Sequence, residues 1–73
     1  MENIREMIQR HAEINHAGTF MRLGQELKDE RQTIIDNLLI MNIIKLDPNY
    51  GFSFIGDDTV SNRKIYLEAY ENF

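Results

Sequence analysis

The chain has 73 residues and a mass of 8.6 kDa, with 42% hydrophobic and 27% charged residues, one proline, four glycines and no cysteine. That composition excludes disordered, collagen-like and disulfide-stapled classes and leaves one small folded domain. The net charge of −4 argues against a general nucleic-acid coat, and no apolar run approaches the roughly 20 residues of a membrane span.

A domain of this size buries only about 60% of the surface its unfolded chain exposes. Few side chains remain to build a cleft once the core is filled, so an enzyme is not expected. No cofactor and no thiolate metal site are expected either. Glu2 stands where a signal peptide would be basic, which makes a cytoplasmic protein the default. No linker or repeat divides the chain. The natural division is a body over 1–58 and an added element over 59–73.

In chain order, the first periodic segment is Glu2 to Asn15. Ile4, Met7, Ile8, His11 and Ile14 recur on one helix face. The run from Asn15 to Thr19 reads as its end, with Gly18 left-handed and Thr19 capping the next helix. A short second helix is expected from Phe20 to Lys28, with Gly24 inside it allowing close approach of another helix. Lys28-Asp29-Glu30 has no apolar residue and reads as a turn. A third helix then starts near Asp29 or Glu30 and runs to about Met41. Ile34, Leu38 and Met41 form its apolar arc, widened by Ile35 and Leu39. That arc is either the centre of the core or, at Leu39 or Ile40, part of a subunit interface.

From Ile43 to Ile55, two alternating runs flank Asp47-Pro48-Asn49-Tyr50-Gly51. This pattern is a β-hairpin, with Phe52 and Phe54 on one face. The tail from Thr59 to Phe73 reads as a helix capped by Thr59 or Ser61. A strand over Lys64 to Tyr70 is the alternative.

The order is helix, short helix, turn, helix and hairpin. Together with Leu23-Gly24-Gln25-Glu26-Leu27-Lys28-Asp29-Glu30-Arg31-Gln32-Thr33-Ile34, it resembles the winged helix-turn-helix family of bacterial and phage regulators. There a leucine, a small residue, two polar residues and a second leucine precede the turn, and a Ser-Arg-Gln-Thr-Val-like run opens the recognition helix. Asn42 to Phe52 resembles the segment where that helix ends and the wing begins. The resemblance covers about Glu2 to Ile55. It implies an α+β, mostly α fold: three helices and one hairpin wing, with an additional C-terminal helix. The third helix is then either one turn short or continues through Ile43 and Ile44.

The resemblance also implies a small transcription regulator that binds double-stranded DNA. Arg31 suits guanine, Gln32 and Asn37 suit adenine, and Thr33 suits a phosphate or a thymine methyl. Lys28 and Lys45 would lie near the backbone. Glu30, Asp36, Asp47, Asp57 and Asp58 bring negative charge toward phosphates and oppose this. The alternative is an acidic protein-interaction module or inhibitor, phage-derived and imitating DNA, that binds a host protein.

Small proteins resembling this one often pair through a terminal helix. Ile65, Tyr66, Ala69, Tyr70 and Phe73 therefore form the candidate seam of a homodimer. His11 lies on the apolar stripe of the first helix and reads as a core histidine. Its five-residue spacing from His16 suits no metal site.

Overall fold

The computed structural model describes residues 3–72. The element order is α1 (Ile4–Phe20), α2 (Gln25–Ile40), β1 (Ile44–Asp47), β2 (Gly51–Phe54) and α3 (Thr59–Glu71). The fold is α+β and mostly helical: three helices and one two-stranded antiparallel hairpin. No helix among the described residues is long and apolar enough to cross a membrane.

The principal correction lies in the first half. The expected turn at Lys28-Asp29-Glu30 is absent, and the short second helix and the third helix are one continuous helix, α2. Two helices therefore precede the hairpin, where three were expected. The polar triplet lacks a breaker, and all three residues propagate a helix once one has started. Its polarity marks an outward-facing stretch of helix. Gln25 donates to Asp29 Oδ1 at 2.8 Å across the segment.

The break falls earlier, at Met21 to Gly24. Gly18 and Thr19 lie inside α1 and neither ends nor caps a helix. Gly24 is the N-cap of α2, not a mid-helix glycine. A Cβ there would meet nothing within 4 Å, so it permits no close helix approach. Asn3 caps α1 by accepting from Glu6 N at 2.7 Å.

The end of α2 is well defined. Asn42 takes a φ of 58°, in the left-handed region that asparagine tolerates. Asn42 N donates to Leu39 O, and Ile43 N donates to Leu38 O at 2.9 Å. This pair of bonds closes a Schellman cap. The helix therefore stops short of Ile43 and Ile44. Both enter the core, together with Met7, Ile8, Ile14, Ile34 and Leu38.

The hairpin pairs Ile44 with Phe54 and Leu46 with Phe52. Residues opposite each other share a face, so these four lie on one side and Lys45 and Ser53 on the other. Asp47 Oδ1 accepts from the backbone N–H groups of Asn49 and Tyr50, and Gly51 takes a φ of 84°. These features fix the turn. The tail is a helix, as expected, and not a strand. Asp58, rather than Thr59 or Ser61, occupies its N-cap position. The Thr59 hydroxyl turns back to Gly56 O at 2.7 Å.

A bidentate pair ties α1 to α2. Arg10 Nε and its terminal nitrogen donate to Glu30 at 2.6 and 3.0 Å. Glu30 is thus a mid-helix partner of Arg10 and not a cap.

Candidate cationic groove

Between α1, α2, the hairpin and α3 lies an open groove of about 650 Å³. Arg22, Lys28 and Arg31 line it, and no carboxylate does among the described residues. The chain carries twelve acids and eight bases, so a wall with three bases and no acid reverses the sign of the whole molecule. Chain geometry produces this reversal. Lys28 with Arg31 and Gln32, and Ile35 with both of these, stand three and four residues apart along α2 and face the groove. Asp29, Asp36 and Asn37 fall outside that stripe.

Asn15 organises the floor of the groove. Its amide nitrogen donates to Tyr66 Oη at 2.9 Å and lies 3.1 Å from His11 Nε2. Its amide oxygen accepts from an Arg31 terminal nitrogen at 3.3 Å. The Arg31 bond sets the amide orientation, which makes His11 Nε2 the acceptor and places the ring proton on Nδ1. That Nδ1 is buried with no hydrogen-bond partner among the described residues.

His11 is only 2% exposed. Its ring packs 4.7 Å from Phe52 and 5.7 Å from Tyr66. Burial, aided by the nearby Arg31 charge, lowers its pKa to about 4. Desolvation disfavours the imidazolium, so the ring stays neutral near pH 7. The core assignment of His11 holds, with the addition that it underlies the groove. Burial likewise raises the Tyr66 hydroxyl above its ordinary value. The hydroxyls of Tyr70 and Thr19 share a 2.8 Å hydrogen bond at one end.

At the rim stands Tyr50, in the hairpin turn and 82% exposed. Leu46 and Met21 are exposed beside the groove as well.

Of the residues expected to contact DNA, Lys28, Arg31 and Gln32 come together in this groove. Thr33, Asn37 and Lys45 are exposed but do not line it. The Thr33 hydroxyl donates back to Asp29 O at 3.1 Å. Lys45 lies on the hairpin face opposite Leu46 and Phe52. Gln32 donates to Asp36 at 2.9 Å.

The candidate dimer seam is largely turned inward. Ile65 and Tyr66 pack against the core of their own chain. Ala69 and Tyr70 are half-buried, and Phe73 lies outside the described residues. The large apolar side chains that α3 exposes are Val60 and Leu67. Leu39, read as an interface candidate, packs against the core, whereas its neighbour Ile40 is 78% exposed.

Sequence reasoning missed Arg22, Asn15 and Tyr50 as site residues. Arg22 sits in what looked like a helix, Asn15 in what looked like a helix end, and Tyr50 in a turn. None belongs to a spacing motif. Among the described residues no group of three or more His, Asp or Glu side chains is arranged to hold a metal.

No family model, no curated protein and no solved structure matches the chain.

Proposed function

We propose that the protein is a small nucleic-acid-binding module, with the hairpin beside α2 acting as a wing and with a role in transcription regulation. One observation carries this reading: Arg22, Lys28 and Arg31 converge on one groove from which acids are absent among the described residues. Affinity for nucleic acid comes mainly from phosphate neutralisation and counterion release. A net negative molecule therefore needs a local basic surface, and this groove supplies it. Tyr50 and Gln32 add a stacking ring and an exposed amide suited to base edges.

The test is fluorescence anisotropy of labelled random-sequence DNA titrated with the protein at low and moderate salt. Salt-sensitive binding that weakens in Lys28→Gln and Arg22→Gln supports the reading. Absence of binding at about 50 μM in low salt, where electrostatic contacts are strongest, rejects it.

Exposure of Ile40 favours a second reading, a module that docks on a host protein through the end of α2. Met41 is exposed next to it, and the acidic side chains Asp36 and Glu26 share α2. A bound partner released by Ile40→Glu, with the groove variants silent, would favour that reading over the first.

A further inference from the structure

The nucleic-acid reading leaves open whether the groove meets a duplex or an unpaired strand. A recognition helix must protrude to enter a major groove about 12 Å wide. Here Lys28, Arg31 and Gln32 lie instead on the wall of a concavity, with the hairpin on one side and the α1–α2 connection on the other. Thr33 and Asn37, needed to complete a protruding reading surface, are outside it. A volume of about 650 Å³ falls within the range of small-ligand sites.

The groove chemistry matches the two halves of a nucleotide. Arg22, Lys28 and Arg31 present positive charge to a phosphate. Tyr50 presents a ring at the rim, and its turn is held by two hydrogen bonds to Asp47 Oδ1. An exposed tyrosine on a hydrogen-bonded turn beside a basic groove is an arrangement on which bases of a single strand can stack. Deeper in, Phe52 and Tyr66 pack edge-to-face at 5.4 Å and form an aromatic floor.

We propose that the groove receives an unpaired nucleotide of a single strand, its phosphate on Arg22, Lys28 and Arg31 and its base stacked on Tyr50. This rests on the nucleic-acid reading above.

The experiment compares three probes in low salt: a labelled ten-residue deoxythymidine strand, a labelled duplex of mixed sequence, and unlabelled thymidine monophosphate as competitor. The strand is expected to bind at least about tenfold more tightly than the duplex. Tyr50→Ala, a change at an exposed turn, should weaken strand binding about tenfold and leave duplex binding unchanged. Equal affinity for strand and duplex, or an unaffected Tyr50→Ala, overturns the single-strand inference and leaves the nucleic-acid reading standing. Thymidine monophosphate binding as tightly as the strand overturns it in favour of a free nucleotide. Failure of both labelled probes to bind overturns the nucleic-acid reading itself.

Discussion

Asn15 and Tyr66 lie 51 residues apart and meet in a 2.9 Å hydrogen bond, amide nitrogen to phenol oxygen, that joins α1 to α3. Because the same amide also accepts from Arg31 and faces His11, one side chain couples all three helices at the groove floor. Asn15→Ala should therefore cost about 1–3 kcal/mol, since it strands several part-buried polar groups. Tyr66→Phe should cost about 1 kcal/mol. Because the two residues share a bond, the double variant should lose less than the sum. Urea unfolding of the four proteins checks this.

The His11 ring gives stability a defined acid dependence. The unfolded chain takes up a proton near pH 6.5 that the folded chain refuses until about pH 4. Stability must then fall as pH drops through that window, because the unfolded state binds more protons there. The loss at pH 5 relative to pH 7.5 is on the order of 2 kcal/mol. His11→Phe keeps a ring against Phe52 and removes the titration, so its urea midpoint should stay nearly flat across the same range.

The Arg10–Glu30 pair should matter less than its geometry suggests. Its hydrogen bond from Arg10 holds the Glu30 carboxyl below the ordinary range. The stability it gives is present above the ordinary carboxyl pKa and disappears as pH falls through the lowered one. Both side chains are about two-fifths exposed, and water screens them. Glu30→Gln should cost under about 1 kcal/mol at neutral pH, measured by thermal or urea unfolding.

Two neighbouring positions on α2 should behave oppositely. Leu38 is fully buried, and Leu38→Ala should cost about 2–5 kcal/mol. Ile40 is exposed, and Ile40→Glu should change stability by less than about 0.5 kcal/mol. If groove binding is the function, Ile40→Glu should also leave nucleic-acid affinity intact, as read by anisotropy.

The contrast between Leu38 and Ile40 was legible in the sequence, because burial on a helix follows spacing. So were the hairpin, marked by its turn chemistry, and the C-terminal helix, marked by its spacing, whereas the end of α2 was legible only as a choice between a stop at Asn42 and a run through Ile44. The α1–α2 break was not legible. Gly18 looked like a terminator and Lys28-Asp29-Glu30 like a turn. Both are helical, because neither glycine nor charge stops a helix that tertiary packing supports. The resemblance to a recognition helix groups Arg31, Gln32, Thr33 and Asn37 as one reading surface. The continuous helix instead sends Lys28, Arg31 and Gln32 toward the groove and leaves Thr33 and Asn37 outside it. Arg22 and Tyr50 depend on how distant loops meet, which no local pattern encodes.

The most direct measurement is the salt dependence of strand binding in the wild type and in the Arg22→Gln/Lys28→Gln double variant. One phosphate neutralised in the groove predicts a log–log slope of about −0.7 for a single strand, and none a slope near zero. Binding through the groove predicts that the double variant loses affinity and moves from the first slope toward the second. An unchanged slope and affinity in that variant, with loss instead on changing Thr33 and Asn37, would contradict it and place binding on the outer face of α2.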